Sequence, residues 1–268
     1  MNNVVTGYYE EGKNIWGLPQ KYKDILLYPI KMKDIKYKKL FFELLIYPKN
    51  SIAIKEVIKM SYLKFLLYAM EKLVEIKDVR ENFIDFIKYI TKENDVSILE
   101  KQTKKIIDSY DAFEISLKIG ENIFTETDFD NIREIILEQN GLSIEYVEAY
   151  HPEFEKTLIY ASRKNTLSEE DEITIMCALS GKSLLEVVEY SIYQFQKHFE
   201  RLLLLEEYRL YQPLLVSGQI ELKKGKIQPY SIHIGKKGRY DSILIDVDKF
   251  KDENKELISP ENSKIRSK

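Results

Sequence analysis

The chain has 268 residues, 32% of them charged, and its 41 basic and 44 acidic side chains leave a net charge of only −3. That length supports one large domain or two modest ones without small-scaffold staples. The single cysteine, Cys177, excludes an intramolecular disulfide, and with three scattered histidines it also removes the thiol and imidazole metal templates. The charge balance argues against a nucleic-acid partner held by bulk electrostatics.

No signal-peptide pattern opens the chain, and the most apolar windows, around Leu63 to Met70 and Leu202 to Leu205, meet charge well before the roughly 20 residues that span a bilayer. A reducing, cytosolic setting without a membrane partner is therefore expected. Residues 1–23, with Gly7, Gly12, Gly17 and Pro19 among polar neighbours, read as an extended N-terminal arm. A short strand follows at Ile25 to Ile30, where Pro29 suggests an edge.

The region 24–110 reads as mostly helical. Asp34 is placed to cap a helix from about Ile35 to Tyr47, with Leu40, Phe41, Leu44 and Leu45 on one face and Pro48 at its end. From Ser51 to about Leu73 the residues Ile54, Val57, Ile58, Leu63, Leu66, Leu67 and Met70 recur at helical spacing. Further helical patterning covers Val79 to Ile90 and Val96 to Tyr110. The lysine-dense stretch Lys31 to Lys39 alternates with apolar residues and reads as a solvated helix face.

Residues 111–248 form a second region, in which the period changes to two. Phe113, Ile115 and Leu117 alternate with polar neighbours, Gly120-Glu121-Asn122 supplies a turn, and Ile123 to Thr125 returns as a paired strand. Thr127 or Asp128 then caps a helix that Gly141 stops. Three capped segments follow: Ser168 with Asp171 to Gly181, Ser183 with Glu186, and Ser191 with Gln194 opening a long helix toward Gly218.

On that helix Ile192, Phe195, Phe199 and Leu202 make a stripe, and the four-leucine block calls for enclosure on more than one side. Pro213 is expected to bend it near Arg209. Alternation in Tyr230 to Ile234 and Ser242 to Asp246 predicts a second hairpin, and residues 249–268 read as a mobile polar tail. The fold class that results is α+β: predominantly helical, with two small β-hairpins and an N-terminal short strand.

Chemical motifs are sparse. Ser180-Gly181-Lys182-Ser183 imitates the end of a phosphate loop, but Met176 stands where the loop needs glycine, and a helix precedes it instead of a strand. Ser61 and Lys64 have the S-x-x-K spacing, which sets a hydroxyl and an amine on neighbouring helical turns, without its partner motifs. His151 and Glu153 lack the paired cysteines of a zinc deaminase. His198 and His233 suit ordinary surface or hydrogen-bonded roles. Asp246 and Asp248 open a calcium-loop pattern that Phe250 interrupts. No cofactor, metal or catalytic residue is expected, and the chain reads as a non-enzyme.

Three blocks carry a resemblance. LLYPIKMKDIKYKKLFFELLIYPKNS, FTETDFDNIREIILEQNG and SLLEVVEYSIYQFQKHFERLLLLEEYRL resemble segments of assembly proteins encoded in the tail gene clusters of long-tailed bacteriophages. The nearest functional image is a baseplate hub assembly protein or tail assembly chaperone. The resemblance implies non-enzymatic binding of a tail or baseplate structural protein in the cytoplasm of the infected host; the alternatives are a structural component of the phage baseplate or tail and, behind it, an enzyme of unrecognised class. It also implies an aromatic and leucine-rich groove that takes the partner. The candidate contact residues are Trp16, Tyr22 and Tyr28 near the arm, and Tyr193, Phe195, Phe199, Tyr208 and Tyr211 on the long helix. An aromatic stripe at helical spacing also serves as core, so exposure in a contiguous patch is the deciding observation.

Overall fold

Lys23 and Asp24 turn the chain between two short antiparallel strands, β1 (Gln20–Tyr22) and β2 (Ile25–Leu27). In the computed structural model, which describes residues 13–47, 49–52, 54–70, 74, 77–102, 113–142, 167–217 and 231, this hairpin replaces the last part of the expected extended arm. Pairing Gln20 with Leu27 and Tyr22 with Ile25 puts those four side chains on the inner face. Lys21 and Leu26 are left on the outer one. The strand expected to reach Ile30 ends at Leu27, two residues before Pro29, which has no N–H to give a ladder.

The hairpin is fastened at its turn. Lys23, held at φ +49°, reaches Asp128 with its ammonium at 2.7 Å, and the Tyr22 hydroxyl donates to the same carboxylate at 2.8 Å. Asp128 also accepts from the Thr125 N–H and hydroxyl. Together these donors, Lys23 foremost, hold its carboxyl well below the usual aspartate range.

From β2 the chain runs through a segment, Leu27 to Lys33, that bonds to residues near 90, 140 and 190. Leu27, Ile30 and Met32 are buried. Tyr28 N–H donates to the Ile90 carbonyl at 2.7 Å, Ile30 N–H to Asn140 Oδ1 at 3.2 Å, Met32 N–H to the Tyr190 carbonyl and Lys33 N–H to the Val188 carbonyl, both at 2.9 Å. The Leu27 carbonyl accepts from Gln139 Nε2 at 2.8 Å, and the Ile30 carbonyl from Ile192 N–H at 3.0 Å. On the exposed side of the segment, Lys31 and Lys33 both grip Glu189, which pulls its carboxyl down to about 2.

Helix α1 (Ile35–Leu44) buries Leu40, Phe41 and Leu44. Asp34 occupies its N-cap position, yet its side chain makes no cap bond; it accepts instead from the Tyr89 hydroxyl. At the other end, Tyr62 OH donates to the Leu44 carbonyl at 2.9 Å and Arg133 Nε to the Leu45 carbonyl at 2.8 Å. The orphan carbonyls of α1 are thus satisfied from distant elements, and it stops three residues short of the expected Tyr47.

The single helix expected from Ser51 to Leu73 is broken into pieces. A 3₁₀ turn (Lys49–Ile52) and α2 (Lys55–Lys59) lead to Met60, whose backbone is extended at φ −69°, ψ 156°. Ser61 then caps α3 (Tyr62–Lys64), its hydroxyl accepting from Lys64 N–H, and the chain widens into a π-type stretch, Phe65–Met70. A serine that bonds its own backbone competes with helix continuation, and Lys49 holds the Met60 carbonyl at 2.6 Å. The wider turn lets Phe65, Leu66, Leu67, Ala69 and Met70 all be buried.

Helix α4 (Val79–Thr91) follows the expected bounds closely, ending at Lys92 in the left-handed region. The expected helix from Val96 does not form. Val96–Gln102 is strand β3, paired along its whole length with β4 (Phe113–Ile119), which pairs in turn with β5 (Asn122–Thr125) through Gly120 at φ +58°. The pairing partner lies beyond the residues that helical spacing samples. Helix α5 (Glu126–Gln139) is capped by Thr125, with Asp128 completing the box, two residues earlier than Thr127. Gly141, at φ +85°, stops it as expected.

Helices α6 (Glu169–Ser180), α7 (Leu184–Val187) and α8 (Ile192–Val216) start at the three expected caps. Along α8 the burial is uneven: Ile192, Phe195 and Phe199 are buried, and no described residue after Phe199 is. The leucine block is therefore not enclosed; Leu203 is 43% exposed, and only Leu202 packs against the core. The helix continues through Pro213 to Val216. The expected second hairpin, apart from exposed Ser231, and the tail 249–268 lie outside the described residues. The described part is α+β, mainly helical, with sheets of two and three antiparallel strands.

These fastenings predict the stability of three variants. Asn140→Ala removes the acceptor for buried Ile30 N–H and the donor to the Ile136 carbonyl, and should lower the unfolding free energy by about 1–3 kcal/mol in urea titrations. Lys39→Ala, which removes an exposed pair with Glu43, should change it by less than about 0.5 kcal/mol. Asp128→Asn should cost about 1 kcal/mol at neutral pH through the weakened cap and lost ion pair. Because the folded-state pKa of Asp128 lies below its unfolded value of about 3.9, its contribution is complete above that value and lost as pH falls through the folded one. Thermal melts of both proteins across pH should show a constant gap above about pH 5 that narrows in stronger acid.

Candidate partner-binding surface

Immediately before the hairpin, residues 13–18 form a tight turn. Gly17 N–H donates to the Asn14 carbonyl and Leu18 N–H to the Lys13 carbonyl, both at 3.1 Å. Gly17 adopts φ +66°, and a Cβ there would approach the Gln194 side-chain amide to 3.2 Å. Both facts favour glycine.

The turn is tied to three elements. Asn14 Nδ2 donates to the Glu138 carbonyl at the end of α5, and Gln20 Nε2 of β1 donates to Asn14 Oδ1 at 2.6 Å. Gln194 in the first turn of α8 donates through Nε2 to the Ile15 carbonyl at 2.8 Å. The same Gln194 accepts from Ser191 N–H as half of the α8 cap, so one side chain fixes both the helix start and the turn.

The apolar side chains of this turn face water. Trp16 is 67% exposed, with Ile15 at 38% and Leu18 at 42%. Leu26 on the outer face of the hairpin is exposed as well. A second exposed apolar region lies on the distal half of α8, where Leu203, Leu210, Tyr211 and Val216 are open. A third is the Leu184 and Leu185 pair of α7.

The sequence-predicted contact residues separate accordingly. Trp16 and Tyr211 are exposed. Tyr22 is half-buried, its ring 6.2 Å from that of Phe124 and its hydroxyl spent on Asp128. Tyr28 is half-buried beside Lys92, and its backbone belongs to the central segment. Tyr193 is half-buried near Gly141, with the Lys197 ammonium over its ring, and Tyr208 is half-buried. Phe195 and Phe199 are buried and stacked on one another with centroids 5.8 Å apart, so the core has taken both rings. Those two rings belong to the stripe that attaches α8 and are not open to a partner. Ile15, Leu18 and Leu26 lie in no periodic pattern; the sequence signal for their exposure is Gly17 beside Trp16.

The motifs that imitate chemistry are committed to local structure. Gly181 ends α6 at φ +69°, Ser183 caps α7, and the Lys182 ammonium sits 5.3 Å from the Tyr190 ring. Ser61 Oγ caps α3 while Lys64 pairs with Glu126 at 3.1 Å. His198 meets the Gln194 carbonyl and stacks on Tyr190. Cys177 is half-buried against the core. Among the described residues no group of three or more His, Cys, Asp or Glu side chains is arranged to hold a metal, and no helix is long and apolar enough to cross a membrane. His151, His233, Asp246 and Asp248 lie outside the described residues.

No curated protein and no solved structure matches the chain. Residues 162–235, which include α6, α7 and α8, match the family model described as the YomV second domain, a phage-type protein family, and this match is consistent with a phage protein.

Proposed function

We propose that this chain is a non-enzymatic assembly factor of a long-tailed bacteriophage, acting like a chaperone on a structural protein of the tail or baseplate hub in the host cytoplasm. The observation that carries the reading is the phage-type match over residues 162–235. It covers the whole of the third block whose sequence resembles tail-cluster assembly proteins, and the fold lends the other two blocks weight. Leu27 to Lys33 from the first, Gln139 and Asn140 from the second, and Val188 to Ile192 from the third meet in one hydrogen-bonded junction.

Binding rather than catalysis is favoured by how the polar motifs are used. The Ser61 hydroxyl and the Lys64 ammonium, which a nucleophile and its base would leave free, are engaged by a cap and an ion pair. The apolar surface is instead offered by Trp16 and its neighbours and by distal α8. An assembly factor needs such a surface to shield a partner until it is incorporated.

Mass spectrometry on affinity-purified protein from phage-infected cells, alongside purified particles, checks the proposal. Tail or baseplate proteins should accompany the chain in the lysate, and the chain should be missing from finished particles. Stoichiometric presence in particles would make it a structural component, and recovery of no tail protein from the lysate would overturn the assembly reading.

A further inference from the structure

We propose that the Trp16 turn is a preorganised anchor that inserts into an apolar pocket with an acidic rim on a partner protein. This rests on the reading that the chain works by binding a protein, and not on that protein's being a phage component.

The first argument is the contrast between how the turn is held and what it displays. Three side-chain hydrogen bonds tie the turn down: the Asn14 side chain links it to α5 and to Gln20 of β1, and Gln194 of α8 holds its backbone at the Ile15 carbonyl. None of them buries the indole, which stays 67% exposed between exposed Ile15 and Leu18. Tryptophan is highly buried in the average fold, and here folding leaves most of the indole open. Holding an exposed indole on a fixed backbone instead lowers the ordering cost of association, and tryptophan is the residue type most enriched at binding hot spots. The indole contributes roughly 150–250 Å² of apolar surface and one N–H donor, so the complement is an apolar pocket with a hydrogen-bond acceptor.

Charge defines the rim. The five lysines from Lys31 to Lys39 each pair with a carboxylate: Lys31 and Lys33 with Glu189, Lys36 with Asp85, Lys38 with Glu169 and Lys39 with Glu43. Lys13 and Lys21, which bracket the turn in sequence, have no carboxylate partner among the described residues, and Gln20 bonding to Asn14 keeps β1 against the turn. Two ammonium groups with no carboxylate partner among the described residues, one in the turn and one on the outer face of the adjoining strand, favour an acidic surround. They also disfavour a second copy of this chain, because an isologous contact would set the same lysines against each other.

The single tryptophan of the chain makes the test direct. Full-length protein, with Trp16→Ala and Lys21→Glu variants, is used as bait in phage-infected lysate; the recovered protein is then made recombinantly and titrated against the full chain while Trp16 emission is followed. Trp16→Ala should keep the wild-type melting temperature. The expected result is red-shifted emission from the free chain, a blue shift on binding, affinity about thirtyfold weaker for Trp16→Ala, and weaker binding both for Lys21→Glu and at higher salt. A tail protein that binds with emission and affinity indifferent to Trp16 overturns the anchor and leaves the assembly reading standing. A Trp16-dependent partner that is not a phage structural protein supports the anchor and overturns that reading. If the free chain already emits in the blue and resists acrylamide quenching, another segment of this chain, or a second copy where the effect depends on concentration, covers Trp16 and the anchor is wrong. Recovery of no protein by the wild-type bait overturns both.

Discussion

The backbone of Leu27 to Lys33 is the constraint on which the rest of the described structure depends. It is buried along much of its length, it contains Pro29, and past Leu27 it lies in neither of the two sheets, so its polar groups need partners from elsewhere. Two buried amides at the end of α5 supply part of the answer. Asn140 accepts from Ile30 N–H while donating to the Ile136 carbonyl of its own helix, and Gln139 donates to the Leu27 carbonyl. Primary amides suit this task because each offers both a donor and an acceptor without burying a charge. The remaining partners are main-chain groups at the end of α4 and at the entry to α8. One extended segment thereby sets the relative positions of three helices that are far apart in sequence.

That arrangement explains the uneven use of α8. Its first two turns are held by the central segment, by the Gln194 contact with the Trp16 turn and by the close approach of Gly141 to Gln196 and Tyr193. Ile192, Phe195 and Phe199 complete the attachment by burial. Past Phe199 these constraints have run out, and the helix carries on with its leucines partly in water. The charged network around the segment is secondary. Glu189 bridges two lysines in solvent, where screening leaves such pairs little stabilising effect, so their service is to orient the loop before α8.

Local chemistry was the legible part of the sequence. The boxes Ser168/Asp171 and Ser183/Glu186, the Ser191/Gln194 cap and the stops at Gly141 and Gly181 all formed, because each is decided within four residues. The hairpin through Gly120 was readable for the same reason. Failures came where a distant partner decides. Val96 to Gln102 holds its strand conformation by pairing with Phe113 to Ile119, and no spacing within it reports that neighbour. The break at Met60 sits inside a helical pattern, and what interrupts it is a Ser61 cap that was read only as half of a catalytic spacing. β1 was hidden by its length and by the glycines before it.

The candidate surface was half legible for a related reason. Aromatics on α8 stood out by periodicity, and periodicity is the signature of burial, so Phe195 and Phe199 belong to the core by the same property that drew notice to them. Trp16 lies in no periodic pattern. Its exposure follows from a turn too short to fold over its own side chains and too firmly bonded at Asn14 and Ile15 to swing inward. Here an aromatic outside any repeat, next to a glycine with a positive φ, is exposed, whereas two aromatics of the stripe are buried. The stripe marks where a helix is attached, whereas the isolated ring beside a turn glycine marks where the chain has fixed a backbone without enclosing what it carries.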